Sequence, residues 1–191
     1  MNFTLELKNE INSKNSIGTY HLRTGVIAHP TDTIYGLSCL ANNQSAIHTL
    51  ADLKQRDINK GFILLASDIG FLLPYIDPNL DIELLQKLTK PVDKPTTYLV
   101  PKSENVSSLI TGDHELLAVR ITSDPLISYF CENTGSALIS TSANTQGNKV
   151  AKSLLELRTY FGNELDFVLP PNKYNSEPSR IINLLTGIRQ R

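Results

Sequence analysis

Val26-Ile27-Ala28-His29 and Ile34-Tyr35-Gly36-Leu37-Ser38-Cys39-Leu40 are two apolar runs with only Pro30-Thr31-Asp32-Thr33 between them. Both runs have strand length, and their β-branched and aromatic residues suit a buried pleated surface. No helix fits into the four-residue loop that joins them. A regular doubly wound sheet needs a helix at each such crossover, so this pair points instead to a mixed sheet.

The same alternation continues outward. A helix begins near Gln44, with Ala46, Ile47, Leu50, Ala51 and Leu53 at helical spacing and Asn42 or Asn43 as its cap. Residues 62–66, 96–100, 116–121, 137–140, 167–169 and 180–184 read as further strands. Asp81 caps a helix that stops at Pro91, and Asp124-Pro125 opens one that Gly135 ends. Ser153 and Glu156 form a capping box for a helix running to Phe161 and Gly162. Residues 5–22 read as an N-terminal helix weakened by Gly18 and several asparagines. The fold class expected is α/β: an open, twisted mixed sheet flanked by helices, in one domain over residues 1–191.

Hydrophobic residues make up 40% of the 191 and charged residues 19%, which excludes a disordered chain, a collagen-like repeat and a long coiled coil. Lysine and arginine number 18 against 19 acids, a net charge of -1. A dedicated nucleic-acid binder is usually strongly basic, so such a role would need a local patch. Cys39 and Cys131 sit among apolar residues and form no CxxC pair, as small buried side chains do. No stretch approaches the ~20 apolar residues of a membrane span, and the charged N-terminus lacks a signal-peptide core. A cytoplasmic protein without membrane association is expected. The chain holds no GxxxxGK[ST] loop, no GxGxxG after its first strand, no HExxH and no GxSxG. Its four histidines are scattered singly, so no metal site is expected.

Three clusters could carry chemistry. Thr31 and Thr33 lie two residues apart, so an extended segment points both hydroxyls one way and could hold a small polar ligand; taken alone, the segment is better explained as a polar turn with an Asx-type bond from Asp32. Lys54, Arg56 and Lys60 follow the helix that ends near Leu53 and could clamp a polyphosphate, or form a solvated charged turn. Ser140-Thr141-Ser142-Ala143-Asn144 follows a short apolar strand, where open α/β sheets bind ligands. Arg120 puts a cation into a strand that should be buried, and such an arginine needs an anionic partner, from the protein or from a ligand.

Five segments in this order resemble the YrdC/TsaC family of threonylcarbamoyl-AMP synthases, in its short single-domain bacterial form. They are Pro30-Thr31-Asp32-Thr33-Ile34-Tyr35-Gly36-Leu37, Leu53-Lys54-Gln55-Arg56, Leu117-Ala118-Val119-Arg120, Ser140-Thr141-Ser142-Ala143-Asn144, and Pro178-Ser179-Arg180-Ile181-Ile182 with Thr186-Gly187. The resemblance implies a twisted sheet with a concave, basic cavity. It implies a nucleotidyltransferase that makes threonylcarbamoyl-adenylate and pyrophosphate from L-threonine, bicarbonate and ATP, with magnesium. That product serves tRNA threonylcarbamoyladenosine formation through downstream transfer proteins, with tRNA itself a candidate partner. Carried onto this chain, the resemblance makes Lys54 and Arg56 catalytic. It assigns ATP to Lys54, Arg56, Lys60, Ser142, Asn144 and Arg191, and threonine to Thr31, Thr33, Arg120 and Ser140. A non-catalytic RNA-binding module using the same concavity is the alternative. Many relatives have proline where this chain has Asp57, and a histidine in the stretch around Leu65.

Overall fold

A computed structural model describes residues 3–170 and 177–191, with the side chains of residues 3–12 and of Ile58 left aside. Its strands are β1 (Ile27–His29), β2 (Gly36–Leu40), β3 (Ile63–Ala66), β4 (Thr96–Pro101), β5 (Leu116–Ile121), β6 (Leu138–Ser142), β7 (Phe167–Val168) and β8 (Arg180–Asn183). The α-helices are α1 (Phe3–Leu22), α2 (Gln44–Leu53), α3 (Ile82–Thr89), α4 (Ser108–Thr111), α5 (Pro125–Thr134) and α6 (Leu154–Phe161). The strands form one sheet in the order β7-β1-β2-β6-β3-β5-β4-β8. β7–β1, β3–β5 and β4–β8 run parallel, and the other neighbours antiparallel. The sheet is therefore mixed, as the helix-free pair β1 and β2 requires.

The helices begin where their caps dictate. Asn43 Oδ1 accepts from Ala46 N at 3.0 Å, and Asp124 Oδ1 from Leu126 N at 2.8 Å. Ser153 Oγ accepts from Glu156 N, but Glu156 Oε2 returns to Lys152 N rather than to the Ser153 amide, so the capping box is displaced by one residue. Gly18 does not break α1. A Cβ there would stand 3.4 Å from the Phe130 ring and 3.5 Å from Phe167, so glycine lets the helix lie close on α5 and β7. Two differences from expectation matter for the site. The strand expected over residues 137–140 runs on to Ser142, because β2 offers a backbone partner as far as Gly36, opposite Ser142. Ser140 and Ser142 therefore lie on a strand and share one face by alternation. Helix α4, only four residues long, is too short to show a periodic pattern.

The core lies where strand and helix faces meet, with Tyr35, Phe130, Phe161, Leu64 and Leu65 all fully buried. His29 is buried with them. Its Nδ1–H donates to the Pro30 carbonyl at 2.7 Å, which leaves Nε2 to accept from Ser38 Oγ at 2.7 Å. Burial pushes its pKa down to about 4, so the ring is neutral in the folded chain. An unfolded chain protonates this histidine near 6.5. Stability from His29 is thus fully present above pH 6.5 and lost as the pH falls toward 4, a difference of about 3 kcal/mol. Urea unfolding of the parent and of His29→Gln at pH 7 and pH 4.5 checks this. The parent should lose more stability than the variant by roughly that amount, and parallel losses would rule the linkage out.

Candidate active site

A cavity of about 680 Å³ opens over the middle of the sheet. Its walls come from the β1–β2 loop, the turn after α2, the start of β5, the end of β6 and the C-terminal segment. Thr31, Thr33, Arg56, Lys60, Arg120, Ser140, Ser142 and Arg191 line it, which brings together eight of the ten residues expected from the sequence. Asp113 and Glu115 also face it, so the lining is mixed in charge and its cations are local.

Lys54 and Asn144 lie beneath the cavity rather than in its lining. Lys54 is only 5% exposed, and its Nζ donates to Ser142 O at 2.5 Å, Asn144 O at 2.7 Å and Asn144 Oδ1 at 3.2 Å. An ammonium has three donors, so each one is matched within the protein. Burial, then the nearby Arg56 charge, push the Lys54 pKa down to about 7, while the three oxygens favour the ammonium. Asn144 Oδ1 also accepts from Ser142 Oγ at 2.6 Å, and its amide donates to Asn148 O. Lys54, expected from the sequence to touch the phosphates, here ties the end of α2 to the end of β6.

Arg56 reaches the cavity because α2 ends in a sharp reversal. Arg56 N bonds Ala51 O at 3.0 Å and Gln55 N bonds Asp52 O at 2.8 Å, the paired bonds of a Schellman turn. Glycine usually fills the left-handed position of that turn; here Gln55 takes it at φ 49, a conformation costing about 1 kcal/mol. The Arg56 guanidinium lies 5.3 Å over the Phe62 ring and donates from Nη2 to Gly61 O at 2.8 Å and Lys60 O at 3.2 Å. Its Nε has no partner among the described residues, and burial lowers its pKa. These are the marks of a cation fixed in place with a donor to spare.

Arg120 stands further along the sheet. Ala118 pairs with Ile63, just after the Arg56–Lys60 turn, and Arg120 pairs with Leu65 two residues on, about 7 Å away. Its Nη2 meets Asp32 Oδ2 at 2.6 Å and its Nη1 donates to Thr33 Oγ1 at 3.0 Å. The anionic partner that a buried arginine needs is therefore supplied first by the protein. At the C-terminal wall, Arg191 donates from Nε and Nη2 to Ser179 O, and Ser179 Oγ bonds Thr97 Oγ1 at 2.8 Å. Of Arg189 and Arg191, only Arg191 lines the cavity. Sequence reasoning missed Ser179 as a wall residue although it lies in a quoted motif. It also missed the wall around Asp113, His114 and Glu115, for which no motif exists.

The family model described as "Telomere recombination", the Sua5/YciO/YrdC model, matches residues 21–190. The chain belongs to this family. Among curated relatives, the threonylcarbamoyl-AMP synthase of Actinobacillus succinogenes is 40% identical over 162 residues, covering 84% of this chain and 88% of that protein. The threonylcarbamoyl-AMP synthase of Mannheimia succiniciproducens is 43% identical over 138 residues, 72% of this chain and 75% of that one. Among solved structures, P. abyssi Sua5 complexed with L-threonine superposes with a TM-score of 0.81 at 22% identity, over 92% of this chain and 52% of that one. E. coli YciO superposes at 0.72 and 21% identity, over 90% and 84%. These two likenesses show the Sua5/YciO/YrdC fold, and the chain spans about half the length of the P. abyssi protein. Among the described residues no group of three or more His, Cys, Asp and Glu side chains could cage a metal ion. No helix described is long and apolar enough to cross a membrane.

Proposed function

We propose that this chain is a threonylcarbamoyl-AMP synthase, a nucleotidyltransferase that joins L-threonine, bicarbonate and ATP into threonylcarbamoyl-adenylate and pyrophosphate. The observation that carries the reading is one cavity lined by two kinds of cation: Arg56 and Lys60, which have no carboxylate partner among the described residues, and Arg120, already paired with Asp32. Arg56, Lys60 and Arg191 face the triphosphate. Arg120 takes the threonine carboxylate, and Thr31, Thr33 and Ser140 surround the rest of the amino acid. Lys54 and Asn144 act from below by fixing the floor, where Ser142 presents its hydroxyl to the nucleotide. Relatives of this chain carrying the synthase name support the assignment.

The reaction needs positioning above all. Bicarbonate breaks a C–O bond and gives carbon dioxide, its hydroxide leaving as water with the proton that the threonine ammonium sheds. The free amine adds to that carbon dioxide and, on losing a second proton to solvent, becomes a carbamate. A carbamate oxygen then attacks the α-phosphate, and pyrophosphate leaves with the charge of the broken bond. Fixed cations stabilise that developing charge without reorganising. One shared cavity matters because a carbamate is short-lived in water, so both reactants must be held in contact. Magnesium, carried on the triphosphate, would add its charge to that of Arg56 and Lys60 in neutralising the phosphates. The product passes to proteins that modify tRNA, in the cytoplasm, and the chain works as a single domain.

Mass spectrometry of protein with ATP, bicarbonate and threonine tests the reading. The adenylate should form, and pyrophosphate release should require threonine and bicarbonate together. Equal release without threonine would reduce the site to generic nucleotide binding.

A further inference from the structure

Arg120 is held from behind by a carboxylate that does not itself line the cavity. The two side chains are 7% and 33% exposed, and Asp32 Oδ2 takes both Arg120 Nη2 at 2.6 Å and Thr122 Oγ1 at 2.8 Å. Two of the three guanidinium nitrogens are thereby fixed, by Asp32 and by Thr33. The third, Nε, is buried and unpartnered among the described residues. Buried donors are nearly always satisfied, so an orphan on a cavity-lining arginine points to an acceptor that arrives with a ligand.

The hydroxyls beside it are oriented by the same contact. Thr31 Oγ1 donates to Ile34 O at 2.7 Å, so the 3.0 Å contact between Thr31 and Thr33 must be a bond donated by Thr33. Thr33 in turn accepts from Arg120. A single directed chain runs from Arg120 through Thr33 and Thr31 to a backbone carbonyl, and Asp32 anchors its head. Asp32 also balances the charge. A guanidinium paired with a carboxylate suits a substrate with one carboxylate and one ammonium, and holds a polyphosphate less strongly than the unpaired Arg56 and Lys60 do.

We propose that Asp32 is a positioning residue that gives the site its preference for an amino acid over a second polyanion. It holds the Arg120 fork in one orientation and compensates its charge. The inference rests on the reading that Arg120 grips the threonine carboxylate.

Pyrophosphate release by Asp32→Asn, Asp32→Glu, Thr122→Val and Arg120→Ala, with threonine and ATP varied separately, tests it. Asp32→Asn keeps an oxygen for Thr122 and Arg120 but removes the charge. Its KM for threonine should rise about tenfold to a hundredfold, the scale of breaking a charge-assisted hydrogen bond, while its KM for ATP moves less than about threefold. Inorganic phosphate should then compete with threonine in the variant more strongly than in the parent, which a merely structural carboxylate would not cause. Asp32→Glu should restore part of the threonine affinity. An unchanged threonine KM in Arg120→Ala would overturn the site reading itself. A raised KM there with an unchanged one in Asp32→Asn would overturn the role of Asp32 alone. Should Asp32→Asn fail to fold, Thr122→Val decides: it removes one bond to the carboxylate, along with the bond from Asp124 N, and at a temperature where it is fully folded should raise the threonine KM by about threefold, and no selective rise would overturn the proposal.

Discussion

Replacing Lys54 with methionine should lower the melting temperature by about 10 °C and cut synthesis by more than about a hundredfold. The methionine stem fills the same space, so the loss is polar. Ser142 O and Asn144 O each surrender a donor at a partly buried position, while Asn144 Oδ1 keeps the one from Ser142 Oγ. A buried acceptor left unpaired costs about 1–3 kcal/mol, and partial rescue by water keeps the total on the order of 4 kcal/mol. For a domain of this size each kcal/mol shifts the melting temperature by about 2–4 °C. Activity should fall further than stability alone predicts, because the same bonds hold Ser142 and the 142–148 turn, to which Lys54 also contributes its carbonyl for Gln146 N. Thermal melts alongside pyrophosphate release check both effects. A variant that melts with the parent yet is inactive would place the ammonium in the cavity, as the sequence suggests.

That contrast shows where the sequence is legible. Positions governed by local chemistry are plain in it: Asp124 and Pro125 open α5, Gly135 closes it in the left-handed conformation, and the β-branched and leucine-rich stretch Leu116–Ile121 is a strand with the bounds expected. Eight site residues reach one cavity because the motifs that carry them end or begin core elements. The inward turn of Lys54 is hidden because its partners are mostly backbone carbonyls, which every residue has and no pattern marks. The reversal that directs Arg56 is hidden because Gln55 does what glycine usually does. Thr141 and Ser142 look like a loop because their polarity answers to a cavity, while their backbone answers to β2. The Asp32–Arg120 pair joins residues 88 apart, and only the sheet brings them together.

The placement of Arg56 depends on a glycine that belongs to no motif. Gly112, just after α4, has φ 58 and ψ -139, a region essentially closed to other residues. A Cβ there would stand 2.1 Å from Asn59 O and 2.7 Å from Gly61 N, both backbone atoms. Across from it, a Cβ on Gly61, at φ 57, would stand 2.6 Å from Thr111 O. Asp113 N bonds Asn59 O at 3.1 Å and Phe62 N bonds Ile110 O at 2.7 Å, so the two segments are tied on both sides of the contact. An alanine at position 112 must break those bonds or push the 57–62 turn away. That turn carries Lys60, and its Gly61 and Lys60 carbonyls hold the Arg56 guanidinium. Gly112→Ala should therefore cost about 2–4 kcal/mol, the sum of overpacking and a forbidden backbone conformation. It should also raise the KM for ATP at least about tenfold, as breaking one charge-assisted hydrogen bond to the phosphates would. The KM for threonine, which the proposed reading assigns to Arg120, should change less than about threefold. Steady-state kinetics with each substrate varied, at a temperature where the variant is fully folded, measures the split. Equal rises for both substrates would mean that the glycine pair holds the whole sheet rather than the cations of the turn.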